Sequence, residues 1–481
     1  MLLLSVLPIA VFMIFLFFLR WPFYKIAPLA FFVTMTISIL AWKIPPQSLI
    51  SVALKALLLT GDIVLIIFGA ILFVSFLKET GSLSQILEQL KKITPNKETQ
   101  TLLFAWLFGS FIEGISGFGT SGAIVAPFLV GIGISPFKAI VVSLASNSTA
   151  VTFGAVGTPV RIGLAEFSQL SFVHETALIN ILPAFFITIF IVYFVCPRTR
   201  FITFLKNNTV GPMLAASVFL VPYALMARYS SEYPSILGGG IGFLAYLAIL
   251  SRGALRTKIL PVVKSFSSYG ILLTLLVLGK FFFSSFNVLL NLGNQLTHNI
   301  QAFNPGFAFI TTVLILAVKR KTSLRSLLLI TKTTTVPLQR TAISIFFVSA
   351  MTYLMIMTDR ILLQDGMLET IASHLIGPGL LYYSAFIGAF GSFLAGSATV
   401  SNLLFAQIQF LGSSSMHLPH SLILALQLTG AAAGNMIALP NILAVQAAVG
   451  EEGKEREALL ALILPCGVYL MIATIVVLLF F

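Results

Sequence analysis

The sequence predicts an all-α polytopic membrane protein with about twelve transmembrane helices. Hydrophobic residues make up 58% of its 481 residues and charged residues only 9%, and the mean hydropathy is +1.04. A soluble domain needs a charged, hydrated surface, which this composition cannot supply. The apolar residues also form separate blocks of about 17 to 25 residues, the length of a helix that crosses the hydrocarbon core.

Charge distribution excludes nucleic acid as a partner and points to membrane lipids. The net charge of +13 falls in short loops between apolar blocks, as the positive-inside rule requires, and not on an aromatic-rich basic face. Cys196 and Cys466 lie in apolar surroundings without a CxxC motif or a His neighbour. We therefore expect neither a disulfide framework nor a structural zinc site.

The spans follow from the apolar blocks and from the Pro and Gly residues at many of their joints. The first block has no basic n-region and no small-residue cleavage site, so we expect a retained span. The stretch 47–60 carries Lys55 and is interpreted as an interfacial segment. The predicted spans are 2–19, 26–42, 62–78, 139–165, 175–195, 209–227, 235–251, 266–283, 304–318, 341–357, 421–449 and 458–480.

Basic loops predict the orientation. They all face the cytoplasm, with both termini outside, if segments 101–131 and 384–412 dip into the membrane and return without crossing it. The connections 228–234, 284–303 and 358–369 carry balanced, absent or mainly acidic charge. The four basic loops contain Arg20 and Lys25; Arg198, Arg200 and Lys206; Arg252, Arg256, Lys258 and Lys264; and Lys319, Arg320, Lys321, Arg325 and Lys332.

Two polar segments at membrane depth indicate an internal repeat. The string F-G-S-F-x-x-G begins at Phe108 and again at Phe390, 282 residues later. Each copy precedes a long interrupted span, and the prolines of these spans, Pro159 and Pro440, lie 281 residues apart. A constant offset favours duplication. Because the first hairpin enters from the cytoplasm and the second from outside, the repeats are predicted to be inverted, a pattern that marks a transporter's binding site.

This repeat divides the chain into three predicted regions. Residues 1–206 form a first half, with the re-entrant hairpin 101–131 and the broken helix 139–165. Residues 207–340 supply connecting helices and basic cytoplasmic loops. Residues 341–481 form a second half, with the hairpin 384–412 and the broken helix 421–449.

The residue types in these segments suit a binding site for a small ion. Gly and Pro interrupt a helix and leave backbone groups without hydrogen-bond partners, and in a membrane these groups must line a water-filled cavity or bind a ligand. The N-terminus of a half-helix also favours an anion. Each glycine can equally serve helix packing, and each hydroxyl can bond to its own helix. The candidate substrate-binding residues are Gly114, Ser116, Gly117, Gly119, Thr120, Ser146, Asn147, Ser148, Thr149, Thr158, Ser397, Thr399, Ser401, Asn402, Thr429, Asn435 and Asn441.

Glu113 and Arg161 are the candidates for proton coupling. A buried carboxyl can bind and release a proton near neutral pH because burial disfavours its charged form. Glu113 can also form a structural hydrogen bond between hairpin arms. Arg161 directly follows a Gly-Thr-Pro-Val string. It can pair with Glu113, bind a carboxylate or reach the membrane interface.

The repeats resemble the L-lactate permease family. The segments that carry the resemblance are 111–124 (F-I-E-G-I-S-G-F-G-T-S-G-A-I), 147–159, 396–406 and 434–442, with a weaker match at 304–307. The resemblance covers most of the chain in order. It implies a secondary carrier, not an enzyme, that takes up L-lactate, glycolate or a similar monocarboxylate with protons, without a cofactor, in a bacterial cytoplasmic membrane.

Two positions depart from the family pattern. The family has an acidic residue where this chain has Ala398, and a lysine where this chain has Asn435. Their joint absence leaves the local net charge unchanged, as expected for removal of an ion pair. Glu113 and Arg161 are then the charged candidates left in the repeat cores.

Three other functions are open at this stage. Sodium can replace the proton, since the hydroxyl- and amide-rich stretches 146–149 and 397–402 suit a hard cation. A membrane enzyme acting on lipid-linked substrates would need clustered His, Asp or Arg, which the sequence lacks. A channel is disfavoured because paired broken hairpins suit alternating access better.

Overall fold

The computed structural model is mainly helical. It describes residues 1–17, 19, 21–91, 96–117, 120–167, 171–195, 209–250, 260–283, 286–293, 296–361, 366–377, 379–451 and 453–481. In the first half of the chain the helices are α1 (Leu2–Phe17), α2 (Phe23–Leu40), α3 (Pro46–Glu79), α4 (Ser82–Lys91), α5 (Lys97–Thr101), a π-helix (Leu102–Phe108), α6 (Gly109–Ser116), α7 (Thr120–Gly131), α8 (Pro136–Ser146), α9 (Ser148–Val151), α10 (Gly154–Arg161), a 3₁₀ turn (Ala165–Phe167), α11 (Phe172–Ile179), α12 (Ile181–Val195), α13 (Val210–Ala227) and α14 (Pro234–Leu250).

The second half adds one β-hairpin. Its strands β1 (Asn287–Asn291) and β2 (Thr297–Gln301) pair antiparallel, with Leu289 opposite Asn299. The remaining helices are α15 (Leu260–Ser265), α16 (Ser267–Phe283), α17 (Pro305–Lys319), α18 (Leu324–Ile361), α19 (Met367–Leu375), α20 (Leu380–Ala395), α21 (Ala398–Ser415), α22 (His420–Gly434), a 3₁₀ turn (Asn435–Ile437), α23 (Leu439–Val449) and α24 (Glu455–Phe480).

Several helices have the length and composition of membrane spans. Five qualify among the described residues, and the pair α22 and α23, bent by 40°, makes a sixth if it is counted as one span. Eight shorter apolar helices accompany them. The chain is therefore a polytopic membrane protein, while the arrangement of twelve spans stays a prediction.

The described residues form two compact units, each discontinuous in sequence. The first contains 1–76, 268–380 and 403–420. In this unit Lys55 on α3 donates a hydrogen bond to the Thr297 carbonyl at 2.5 Å, and Ser51 donates to the Leu292 carbonyl at 2.6 Å. The stretch 47–60 is thus the first part of the long helix α3, and Lys55 is buried against the β-hairpin.

The second unit contains 77–267, 381–402 and 421–481. Its helices approach closely at glycines, as is usual between membrane helices. A Cβ at Gly239 of α14 would collide with the Phe111 backbone of α6, and a Cβ at Gly242 would lie 2.9 Å from the Val218 carbonyl of α13. All four segments of the predicted repeats contribute to this unit.

Each repeat segment is interrupted, as the Gly and Pro residues predict. The first hairpin breaks at Gly117, between α6 and α7, and the segment 139–165 is divided into α8, α9 and α10. The second hairpin breaks at Gly396 and Ser397, and 421–449 bends between α22 and α23. Whether the two sets are related by inversion stays a prediction.

Two helices begin earlier than their predicted spans: α3 at Pro46 and α18 at Leu324. The helix α18 begins at Leu324, so Arg325 and Lys332 lie on a helix and not in a loop. Exposed faces of a helix tolerate charge, which makes a basic run a poor marker of a helix end. The predicted span 175–195 is confirmed as one apolar stretch, Phe172–Val195, with a turn at Asn180 between α11 and α12.

Candidate functional site

The first break depends on a glycine. Gly117 ends α6 with φ 59° and ψ −161°, a conformation that is essentially restricted to glycine. A Cβ at this position would also lie 2.6 Å from the Ala155 Cβ. The break in the first hairpin and the turn in α10 therefore touch each other.

The turn in α10 has an unusual backbone. Ala155, Val156 and Gly157 all have positive φ, at 45°, 54° and 73°. Left-handed conformations cost roughly 1–2 kcal/mol per non-glycine residue, and a β-branched residue such as Val156 is an outlier there. Such strain persists only where the surroundings fix it, and it concentrates at functional sites.

The second hairpin breaks in a similar way. Gly396 has φ 70°, and the helix α21 begins two residues later, at Ala398. The Ser397 hydroxyl accepts a hydrogen bond from the Val400 N–H at 3.4 Å and so caps the helix. Asn435, in the 3₁₀ turn after α22, approaches the Gly396 carbonyl through its Nδ2 at 3.5 Å.

These breaks surround one pocket in the second unit. All four interrupted segments contribute to its walls. Glu113 is the only ionisable side chain among the described residues that line it. The lining residues are Glu113, Gly117, Val151, Gly154, Ala155, Thr158, Pro159, Ser397, Ala398, Thr399 and Asn435.

Glu113 is buried, with an exposed fraction of 1%. The Ser121 hydroxyl, from the second arm of the hairpin, donates to its Oε2 at 2.8 Å, and the Asn147 side chain also hydrogen-bonds to it. A Cβ at Gly154 would lie 3.1 Å from its Oε1. The expected bond between hairpin arms is therefore present, and the same carboxyl also lines the pocket.

A buried hydrogen-bonded network stabilises the broken helix of the first repeat. Asn180 donates to the Thr152 hydroxyl at 3.0 Å and to the Tyr223 hydroxyl at 3.1 Å. Tyr469 donates to Asn180 Oδ1 at 3.1 Å, and its hydroxyl lies 3.0 Å from that of Thr149. Three surrounding elements thus fix α9 and the turn that follows it.

The second hairpin has its own polar support. Gln427 donates to Ser401 Oγ at 3.2 Å and to Asn402 Oδ1 at 3.1 Å. Asn402 in turn donates to the Pro159 carbonyl at 3.0 Å, at the pocket wall. Asn441 Nδ2 lies 2.8 Å from Asn435 Oδ1. The two broken segments are therefore joined through side-chain amides.

Arg161 forms an ion pair with Glu232. Its Nε lies 3.2 Å from Glu232 Oε1, and the two side chains are 15% and 10% exposed. Glu232 belongs to the connection between α13 and α14. The sequence suggested Glu113, a bound carboxylate or the membrane interface for Arg161. In the structure, Arg161 pairs with a carboxylate of the protein itself, Glu232.

The structure sorts the predicted site residues into groups. Glu113, Gly117, Thr158, Ser397, Thr399 and Asn435 line the pocket, whereas Asn147, Thr149, Ser401, Asn402 and Asn441 support its walls. The hydroxyls of Ser116, Ser146 and Ser148 donate to carbonyls three or four residues earlier. Gly114 packs on α14, and Thr429 is buried in α22 without lining the pocket.

Some predictions fall outside the described residues. Gly119 is one, and only the backbone of Thr120 is described, as the first residue of α7. The others are Arg20, Cys196, Arg198, Arg200, Lys206, Arg252, Arg256 and Lys258.

Sequence reasoning missed two kinds of site residue. Val151 and Ala155 line the pocket with apolar atoms that no signal distinguishes in the sequence, and Gly154 and Pro159 line it although the sequence marked them only as helix breakers. Asn180, Tyr223, Gln427 and Tyr469 are polar residues within apolar helices, a signal that could have identified them.

Comparison with known proteins defines the family. A sequence profile described as L-lactate permease matches residues 1–258 and 254–481. The chain belongs to the L-lactate permease family. A Haemophilus influenzae protein provisionally named L-lactate permease is 28% identical, with 94% of this chain and 93% of the relative covered. The Escherichia coli L-lactate permease and glycolate permease are 24% and 25% identical, each with 95% of this chain and 91% of the relative covered.

Family membership confirms two expectations. The resemblance seen in the repeat motifs is correct, and the relatives are transporters and not enzymes. Ala398 and Asn435, the two positions at which the resemblance implies a departure from the family, both line the pocket. The absence of an ion pair there stays a prediction.

Proposed function

We propose that this permease carries a small monocarboxylate, such as L-lactate or glycolate, together with a proton. Its relatives are named for the transport of these two acids. The observation that carries the proposal is the pocket in which four interrupted segments surround one buried carboxyl, Glu113. Paired broken helices supply backbone groups that bind a small ion without a large apolar surface.

The N-terminus of α21 is the proposed carboxylate site. The first N–H groups of any helix have no intrahelical partner, and the helix dipole favours an anion there. Ser397 already caps Val400, which leaves the N–H groups of Ala398 and Thr399 to meet the substrate. The Thr399 hydroxyl and Asn435 lie on the same pocket and suit the hydroxyl group of a 2-hydroxy acid.

Glu113 is the proposed proton site. A carboxylate substrate and an ionised Glu113 in one buried pocket would repel each other strongly. A proton on Glu113 removes this repulsion, so the substrate and the proton favour each other's binding. Ser121 and Asn147 orient the carboxyl in either protonation state, since a hydroxyl and an amide can each donate or accept.

Alternating access in a bacterial cytoplasmic membrane completes the proposal. We infer that the two sets of broken segments are inverted repeats, with about twelve spans in total. In such carriers one part of the protein rocks around a fixed site, so that the site opens to each side in turn. The three sequence regions, divided near 206 and 340, are retained as part of this proposal.

Reconstituted protein tests the function. Proteoliposomes with a pH-sensitive dye inside should acidify internally when L-lactate or glycolate is added outside, without sodium. An inward proton gradient should drive accumulation of the acid. Uptake that requires sodium and leaves the internal pH unchanged would show that sodium, and not the proton, is the coupling ion. Failure to bind or transport either acid would overturn the proposed substrate class.

A further inference from the structure

Arg161 lies at the end of a pocket wall. It is the last residue of α10, three residues after Thr158, which lines the pocket. Residues three apart share one face of a helix. Arg161 therefore starts from the same face of α10 as Thr158, and its side chain reaches the connection between α13 and α14, where its Nε pairs with Glu232.

That connection covers the strained turn of α10. A Cβ at Gly157 would lie 2.8 Å from the Ser231 carbonyl carbon and 2.9 Å from the Glu232 Cα. The connection is also folded on itself: the Glu232 N–H donates to Ser230 Oγ at 3.1 Å, and this hydroxyl lies 3.4 Å from Glu232 Oε2. The residues 230–232 form a small cover over the turn, which we call the 230–232 cover.

The ion pair between Arg161 and Glu232 fastens this cover to α10. Breaking a largely buried pair without replacement is unfavourable because it leaves an uncompensated charge. A substrate carboxylate is the same chemical group as the Glu232 side chain, and a guanidinium binds either one. An exchange of one carboxylate for the other preserves the charge balance.

We propose that Glu232 holds the place of the substrate on Arg161 in the empty carrier. An arriving monocarboxylate displaces Glu232 from the guanidinium, and the 230–232 cover then leaves the turn of α10. Arg161 is thus a first binding point for the anion before it enters the pocket. This inference rests on the proposed function, and it adds Glu232 as a residue that competes with the substrate.

Binding measurements distinguish competition from a merely structural pair. Purified Glu232→Gln should bind radiolabelled L-lactate about threefold to tenfold more tightly than the wild type, because the competing state is lost. Arg161→Gln should bind it at least about tenfold more weakly, because a charge partner is lost. Glu175→Gln is the matched control, since that carboxylate accepts a hydrogen bond from Ser421 instead.

Cysteine labelling gives a second, independent readout. In a Cys196→Ser, Cys466→Ser background, Ser231→Cys should react slowly with a membrane-impermeant maleimide, and L-lactate should accelerate the reaction severalfold. Addition of Glu232→Gln should make the reaction fast even without L-lactate. Size-exclusion chromatography and thermal unfolding establish that each variant is folded.

The outcomes separate this inference from the proposed function. If the wild type binds L-lactate but Glu232→Gln binds it equally or more weakly, the competition is wrong and the permease function stands. If neither L-lactate nor glycolate binds to the wild type, the substrate class is wrong. Slow labelling of Ser231→Cys with Glu232→Gln present would overturn the cover independently of any substrate.

Discussion

The two sets of broken segments reach the same pocket with opposite chemistry. The first contributes a buried carboxyl, Glu113, and a strained left-handed turn at 155–157. The second contributes neutral groups: Ser397, Thr399, Asn435 and a helix N-terminus at Ala398. In the proposed mechanism, the carboxyl group on one wall binds the proton and the helix N-terminus on another wall binds the carboxylate. This difference between the two sets is the basis of the proposed coupling.

The largest effect is expected from removal of the only ionisable group among the described pocket residues. Glu113→Gln keeps the shape of the side chain and one acceptor oxygen for its two donors, Ser121 and Asn147, but cannot exchange a proton. We expect proton-driven L-lactate accumulation in proteoliposomes to fall by about 100-fold or more, as for loss of a general acid–base group. Glu175→Gln serves as the control. Undiminished accumulation by Glu113→Gln would assign the proton to another group.

Two opposite charges introduced at positions 398 and 435, in the neutral second set of segments, should act as a pair. Ala398→Asp or Asn435→Lys alone buries an unpaired charge, at a cost of about 2.5–3.5 kcal/mol near the bilayer centre. Each should reduce uptake by about tenfold or more, which corresponds to at least about 1.4 kcal/mol. The double variant should recover part of the loss, with a coupling free energy of about 1–3 kcal/mol. A double-mutant cycle on uptake rates and melting temperatures measures it, and strict additivity would show that the two positions do not interact.

Glycines at the two breaks offer a closer comparison. Gly117→Ala meets both a forbidden backbone conformation and the Ala155 Cβ, whereas a Cβ at Gly396 would lie 3.2 Å from Pro440 side-chain atoms. Both variants should lose roughly 1–3 kcal/mol from the unfavourable backbone conformation alone. Gly117→Ala should show the lower melting temperature and the slower uptake. The reverse order would mean that the second break tolerates less distortion than the first.

The smallest effect on uptake is expected from Tyr469→Phe, in the hydrogen-bonded network that supports α9. Tyr469→Phe removes a hydroxyl that contacts Asn180 and Thr149, without changing the ring. The loss should be about 1–3 kcal/mol of thermal stability, because the buried Asn180 Oδ1 loses its donor, and the effect on uptake should be small. Uptake by Tyr469→Phe should reach half-saturation at the same substrate concentration as uptake by the wild type. A large change in half-saturation, with unchanged melting temperature, would instead place Tyr469 in substrate recognition.

The sequence by itself determined the class of protein, the positions of the breaks and the acid that lines the pocket. Apolar blocks, paired Gly and Pro residues and a lone carboxylate are local signals, because the backbone cost of a break and the cost of a charge in lipid arise wherever those residues stand. Glu113 and Gly117 could therefore be predicted to belong to the site. The family followed from the same strings.

Only the tertiary structure decided which groups meet. Glu232 faces Arg161, and Asn180 joins Tyr223 and Tyr469, because separate helices bring them together. Apolar lining residues such as Val151 carry no local sign of their place in the pocket. Contacts between distant segments depend on helix packing, which hydropathy and spacing along one segment do not encode. For that reason the acid in the pocket was predictable, and the ion pair between Arg161 and Glu232 was not.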